Sequence, residues 1–297
     1  MVLPNTPVQY SKDLERIEIE LLLEAIHRRY GYDFRGYAQA SLRRRMRAAL
    51  LRFNCSSLSQ LQDRVLHEPA MLTAMMDFLT VQVSDMFRDP AYYQALRRHV
   101  VPMLRTYPSL KIWIAGCSTG EEAYSMAILL REEGLLDRAL IYATDINGQA
   151  LQKAEAGIYD LDRIAGFTEN HRRSGGSSSL SDYYMAAYGR AVFDKSLRRN
   201  IVFSDHSLAT DSVFAEVQLV SCRNVLIYFR DALARQLVDQ LANLVVPKGF
   251  VVERVAVHGQ RFGHATSATS SARRRAPTAP SSPRSARSPP AFVSMTW

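Results

Sequence analysis

Three cysteines in 297 residues, Cys55, Cys117 and Cys222, have neither the number nor the spacing of a disulfide framework or a zinc site. Nor do His, Cys, Asp and Glu cluster with metal-ligand spacing elsewhere, so no metal is expected. No apolar run approaches the roughly 20 residues of a bilayer-spanning helix, which argues against membrane insertion. The start, Met1-Val-Leu-Pro-Asn-Thr-Pro7, lacks the charged region and apolar core of a secretory signal, so a cytoplasmic protein is expected. No Gly-x-x-x-x-Gly-Lys-Ser/Thr loop is present to cradle a nucleotide's phosphates. The net charge of +8 would suit a nucleic-acid partner, but no aromatic residues interleave with the arginines and no reader motif accompanies them. Much of that charge is local. Six arginines and no acid lie between Ala256 and Trp297, and subtracting them from +8 leaves +2 for the rest.

What is present is a strand running into a small-residue turn that carries two acids, Ile112-Trp-Ile-Ala-Gly-Cys-Ser-Thr-Gly-Glu-Glu-Ala-Tyr124. Leu110, Ile112, Ile114 and Ala115 suit a buried parallel strand, and Ala123, Met126, Ala127, Leu129 and Leu130 recur at helical spacing. Gly116 and Gly120 permit backbone conformations and close approaches that a side chain would block. A second apolar run, Ala139-Leu-Ile-Tyr-Ala143, ends in Thr144-Asp145-Ile146-Asn147. Asp145 is thereby placed to accept hydrogen bonds from a ribose diol. Glu121 and Glu122 would repel a pyrophosphate at the helix N-terminus. They suit a cationic cofactor better, and S-adenosyl-L-methionine carries an amino group that Glu121 could bind.

Four further segments extend the pattern. They are Thr80-Val-Gln-Val-Ser-Asp-Met-Phe-Arg-Asp-Pro90, Ala143-Thr-Asp-Ile-Asn147 continuing to Ala156-Gly-Ile-Tyr159, Ser221-Cys-Arg-Asn-Val-Leu-Ile-Tyr-Phe229, and Asp33-Phe34 with Leu42-Arg43-Arg44-Arg45. With the glycine turn, and in this order, they resemble the motifs of the CheR-type chemoreceptor glutamate O-methyltransferases. The resemblance runs from about residue 15 to about residue 250. It implies an α/β fold, an S-adenosylmethionine-dependent methyltransferase (Rossmann-like) sheet with a small β-subdomain, preceded by an all-α N-terminal domain. The corresponding boundaries are 8–80, 81–259 with the β-subdomain at about 160–202, and a basic tail from 260 to 297. That tail is rich in Ser, Ala, Arg and Pro and is expected to be disordered from about Gln260. The strand, Gly-His-Ser-Glu-like turn and last strand with which the family normally ends do not appear in it.

By the same resemblance, cofactor contacts fall on Gln82, Ser84, Arg88, Glu121, Asp145, Ser207, Leu208, Arg223 and Asn224. Gln82 stands where asparagine is usual, Ser84 where threonine is usual, and Ser207 where asparagine is usual; each keeps a polar group. Val217-Gln218 occupies the place of a frequent Phe-Asp. Arg88 is expected either to contact the cofactor carboxylate or to orient the substrate glutamate through a bidentate fork; pairing with Asp85 or Asp89 is the plainer alternative. Tyr228 is expected to line the substrate channel. The implied activity is methyl transfer to glutamate side chains of chemoreceptors, with the receptor's cytoplasmic helices as partner and the enzyme a monomer. A methyltransferase of the same fold with another substrate, and a non-catalytic binding module, are the alternatives.

The N-terminal region reads as four helices. Ile17, Leu21, Leu22, Ala25 and Ile26 form an apolar stripe that ends at Gly31. Leu42, Met46, Leu50 and Leu51 form another, flanked by Arg43, Arg44, Arg45, Arg47 and Arg52. Ser57 and Pro69 begin a third and a fourth. The arginines read either as a solvated face or as a docking surface for an acidic helical partner. Asp182 to Phe193 has the content of short antiparallel strands turning near Gly189; by resemblance it is the β-subdomain, which in some members binds a receptor-tail peptide. Cys117 and Cys222 are expected to be small buried groups near the cofactor, and His206 an exposed loop residue.

Overall fold

The computed structural model describes residues 12–211, 215–253 and 291–292. Four helices come first: α1 Lys12–Tyr30, α2 Gln39–Arg52, α3 Leu58–His67 and α4 Pro69–Leu79. Their limits follow local chemistry. Ser57 Oγ accepts from the Gln60 amide at the start of α3, Pro69 occupies the first turn of α4, and Gly31 follows α1 with φ +82°.

The second part opens with α5 Pro90–Ala95 and α6 Val101–Leu104, bridged by one π-helical turn. Strand and helix then alternate as β1 Leu110–Ala115, α7 Glu121–Glu132, β2 Ala139–Asp145 and α8 Gly148–Ala156. After these come β3 Ile158–Asp160, α9 Ile164–Arg173, β4 Tyr184–Ala187, β5 Arg190–Phe193, α10 Lys195–Arg198, β6 Ile201–Asp205, β7 Val217–Cys222, α11 Asp231–Leu244, β8 Val245–Glu253 and β9 Ala291–Phe292. The main sheet has the order β6-β2-β1-β7-β8-β9, and every pair in it is parallel. Its order reverses direction beside β1, which places a crevice beyond the carboxyl ends of β1 and β7.

Strands β3, β5 and β4 form a separate antiparallel sheet. Tyr188 and Gly189, with φ +49° and +73°, make the two-residue turn between β4 and β5. Positive φ at both positions is what a tight right-twisted hairpin demands. The sequence places this turn correctly.

Alternation along β1 divides the core. Leu110, Ile112 and Ile114 face a cluster built from α5 to α7 and the small sheet. Trp113 and Ala115 face a second cluster that includes α11 and the apolar faces of all four N-terminal helices. The N-terminal domain therefore shares a core with one face of the main sheet. On α1 the buried residues are Ile19, Leu22, Leu23 and Ile26, whereas Ile17 and Leu21 are 45% and 54% exposed. The expected stripe was rotated, because two acids, Glu15 and Glu18, turn inward to partners on other helices: Glu15 to Arg47 and Glu18 to Ser59. Leu51 likewise lies outside, at 85% exposure, while Leu42, Met46 and Ala49 fill the core.

The tail expected to be disordered lies outside the described residues except for Ala291–Phe292, which pair with Phe250 and Val251 at the sheet edge. No helix among the described residues is long and apolar enough to cross a membrane.

Candidate active site

A cleft enclosing about 950 Å3, its open mouth included, lies at the carboxyl ends of β1, β2, β6 and β7. Four segments reach it directly from strand ends: Gly116 to Ser118, Asp145 and Ile146, His206 to Ala209, and Arg223 to Val225. Thr80 to Asp85 and Arg88 form one side, and Tyr228 and Phe229 another. Asp33 and Tyr37 come from the N-terminal domain. They are held there because Ala38 N donates to Tyr228 O and Arg230 N donates to Gly36 O, both at 2.8 Å. An antiparallel bridge between Tyr37 and Phe229 completes this seam.

The turn after β1 is shaped by packing. Gly116 has φ +79°, and a Cβ there would meet Val225 at 2.3 Å; Gly120 has φ +92°, and a Cβ there would meet Ala154 at 2.8 Å. Both glycines therefore let neighbouring loops close in. Non-glycine residues with positive φ also gather here: Phe87, Asp89, Ser118 and Asn224 lie between +50° and +59°. Such backbones cost energy and mark sites where surrounding structure dictates geometry.

Asp145 is buried, and its oxygens accept from the amides of Ser118 at 2.7 Å and Asn147 at 2.9 Å. Burial pushes its carboxyl up from the usual range, against the backbone hydrogen bonds. The two acids of the glycine turn part company. Glu121 is fully buried and does not line the cleft; Arg163 Nη1 donates to it at 2.8 Å and Thr119 Oγ1 at 2.7 Å. Arg163 also reaches Asp85 at 3.1 Å and the Ser84 carbonyl at 2.5 Å, so it ties the turn to the 80–88 segment. Glu122 lines the cleft instead, accepting from Ser221 Oγ at 2.5 Å with Arg223 Nη1 3.5 Å away.

Arg223 is buried over the Tyr92 ring, 4.0 Å from its centroid, and pairs with Asp89 at 2.8 Å. Burial alone would lower its pKa; Glu122, the two tyrosines and Asp89 outweigh that and raise it. Arg88 has no carboxylate partner among the described residues. Asp85 is occupied by Arg163 and Asp89 by Arg223, and the Arg88 side chain donates once, to Val83 O at 3.0 Å. Its fork faces a cleft it lines.

Tyr228 lines the cleft while also packing against the second core cluster, and burial pushes its hydroxyl up. The Arg45 guanidinium lies 5.7 Å from the Tyr228 centroid and 5.9 Å from that of Tyr37. Arg45 comes from α2, is buried, and donates to the Ser41 and Leu79 carbonyls. Desolvation lowers its pKa. His206 also departs from expectation: it lines the cleft with its ring edge-on to Trp113, 5.3 Å between centroids. Cys117 and Cys222 are buried, as the sequence suggested; Cys117 borders the cleft and burial pushes its thiol up. Gln218, where an acid is frequent, accepts from the Lys111 amide at 2.6 Å.

Of the ten residues singled out in the sequence, Gln82, Ser84, Arg88, Asp145, Ser207, Leu208, Arg223, Asn224 and Tyr228 line this cleft, and Glu121 does not. Tyr37 and the supporting Arg163 were not named in the sequence reading; Glu122 entered it only beside Glu121, and Asp33 and Arg45 only as parts of N-terminal segments. The lining suits S-adenosylmethionine chemically: buried Asp145 for a diol, Glu122 for an ammonium, and Ile146, Leu208 and Val225 for a flat base, which leaves the Arg88 fork to meet a carboxylate of either the donor or the acceptor.

Residues 82–265 match the family described as "CheR methyltransferase, SAM binding domain", and residues 17–80 match "CheR methyltransferase, all-alpha domain". The chain is 56% identical over 236 residues to "Putative methyltransferase Cher3" of Pseudomonas putida, covering 80% of this chain and 86% of that one. "Chemotaxis protein methyltransferase 1" of Vibrio cholerae is 30% identical over 72% of this chain and 79% of its own. "Chemotaxis protein methyltransferase" of Listeria innocua is 27% identical over 73% and 80% respectively.

Proposed function

We propose that this chain, which belongs to the CheR methyltransferase family and carries its S-adenosylmethionine-binding domain, methylates glutamate side chains on the cytoplasmic helices of chemoreceptors. The observation that carries this reading is the Arg88 fork, without a carboxylate partner among the described residues, near Tyr228 in a cleft also lined by Asp145 and Glu122.

When bound, S-adenosylmethionine supplies an electrophilic methyl group on a sulfonium. A glutamate, with an ordinary pKa of about 4.3, is already ionised at neutral pH, so the displacement needs no general base. The protein's work is placement and exclusion of water. Arg88 would hold the incoming carboxylate through two of its remaining N–H groups. Tyr228, fixed by the seam to Gly36–Ala38, walls the approach. Asp145 and Glu122 would hold the donor's ribose and ammonium ends, and Arg163, by binding Glu121, fixes the turn that presents Glu122. Receptor fragments whose methyl-accepting glutamates are replaced by alanine are expected to take up no labelled methyl group; undiminished uptake on such fragments would contradict the assignment.

The basic face of α2 supports a helical, acidic partner, with a narrower set of arginines than the sequence suggested. Arg47 pairs with Glu15 at 2.6 and 2.9 Å, and Arg45 is buried. Arg44 and Arg52 are exposed and so is Arg47, held by its pair with Glu15, while Arg43 is partly exposed. Arg44→Glu is therefore expected to raise the receptor KM by about fivefold or more at low salt, with the effect shrinking as salt screens it. Cofactor affinity should not move. A receptor KM that stays unchanged at low salt would remove α2 from the docking surface.

A further inference from the structure

Five side chains close a hydrogen-bonded ring between the end of α4 and the loops that carry the cofactor-side residues. Thr80 Oγ1 donates to the Met76 carbonyl at 2.6 Å. It accepts from Gln82 Nε2 at 3.0 Å and from Asn147 Nδ2 at 3.2 Å. With its one proton given to Met76, the hydroxyl presents only lone pairs to the two amides. Gln82 Oε1 accepts from Ser118 Oγ at 2.5 Å, so the Gln82 amide is oriented from both ends. The Ser118 amide donates to Asp145 Oδ2, and the Asn147 amide donates to Asp145 Oδ1, which completes the ring.

The ring is anchored outside the cleft. Asn147 is 1% exposed. Its Nδ2 also donates to Asp77 of α4 at 3.1 Å, and its Oδ1 caps α8 by accepting from the amides of Gln149 and Ala150. All its side-chain hydrogen bonds are thus spent on holding structure. Gln82 keeps one N–H that the ring does not use, and Gln82 and Asp145 both line the cleft. The glutamine's extra methylene, relative to the family's asparagine, is accommodated by this two-ended grip.

We infer that Thr80 is a positioning residue for cofactor binding, acting through Gln82, and that the last turn of the N-terminal domain is thereby part of the cofactor site. The inference rests on reading Gln82 and Asp145 as cofactor contacts. At Thr80 a single atom gives one proton to Met76 and takes two from amides, which a methyl group cannot do and an amide group does only from two separate atoms.

Calorimetric binding of S-adenosylhomocysteine to the full chain tests this. Thr80→Val keeps the shape and removes the hydroxyl, and it is expected to raise Kd about tenfold, while Thr80→Ser stays within about twofold of the parent. Gln82→Ala is expected to weaken binding too, and the Thr80→Val/Gln82→Ala double variant to bind no worse than Gln82→Ala alone, since Thr80 acts through Gln82. Should Thr80→Val fail to fold, Thr80→Ala is read in its place. An unchanged Kd in the Thr80 variant, or additive losses in the double variant, overturns the inference. An unchanged Kd in Gln82→Ala overturns instead the reading of Gln82 on which it stands.

Discussion

Arg88→Lys is expected to lower kcat/KM for receptor methylation by about 100-fold, with S-adenosylhomocysteine affinity changed by less than about threefold. Lysine keeps the charge but not the planar pair of donors, so the carboxylate would be attracted without being aligned behind the methyl group. Arg88 can do this because its acidic neighbours are engaged elsewhere: Arg163 takes Asp85 and Arg223 takes Asp89. Its side-chain hydrogen bond to Val83 O steadies the guanidinium while leaving other N–H groups without a partner among the described residues. The expected split separates the two roles the sequence left open. A large loss of cofactor affinity in Arg88→Lys would place this residue on the donor's carboxylate, and equal rates would remove it from the reaction. Steady-state kinetics at saturating donor, with calorimetry beside it, reads both.

Glu132→Gln is expected to cost about 3 kcal/mol of stability near neutral pH, a fall in Tm on the order of 10 °C. The Glu132 side chain is 2% exposed at the end of α7. It accepts from Arg97, from His171 Nε2 at 3.0 Å, from the amides of Ser177 and Ser178, and from Ser178 Oγ at 2.6 Å. Burial pushes its carboxyl up, but the hydrogen bonds from His171, Ser178 and Arg97 overcome this and hold it at about 2, against an ordinary 4.5. A depressed carboxyl contributes stability that is fully present above the unfolded value and is lost as pH falls through the folded one. The gap between parent and Glu132→Gln should therefore be widest above about pH 5 and close between 4.5 and 2. Denaturant melts across that window check it; a gap independent of pH would show that the charge is not what stabilises the node. The cluster joins α7, α9 and the loop leading into the small sheet, so its loss should loosen that excursion before the main sheet.

Much of the fold is legible because its signals are local. The β1 run, its small-residue turn and the apolar spacing of α7 all fall between Leu110 and Glu132, and Asp145 follows at the end of the next strand. Ser57, Pro69 and Gly189 announce helix starts and a hairpin through chemistry that neighbours three residues away can satisfy. What was not legible depends on docking. Glu121 and Glu122 are adjacent, so they point about 100° apart on one helix, and composition cannot say which turns to the cleft. Arg163, 42 residues downstream, decides it by capturing Glu121. The stripe on α1 was misplaced for a similar reason, since Glu15 and Glu18 look like surface residues until Arg47 and Ser59 are brought beside them. Asp33 and Tyr37 reach the cleft, and Arg45 reaches the Tyr228 ring, because the Gly36–Ala38 backbone pairs with Tyr228–Arg230, a contact between segments almost two hundred residues apart.

The central claim is that the cleft directs a methyl group onto a glutamate carboxylate. The most direct measurement is to incubate the full chain with methyl-labelled S-adenosylmethionine and receptor cytoplasmic fragments, isolate the fragments, and treat them with base. A glutamyl methyl ester hydrolyses, so the label should leave as methanol, and fragments incubated with Arg88→Lys should release little. Label that stays on the fragment after base would mean methylation at nitrogen or another stable position, and would contradict the account.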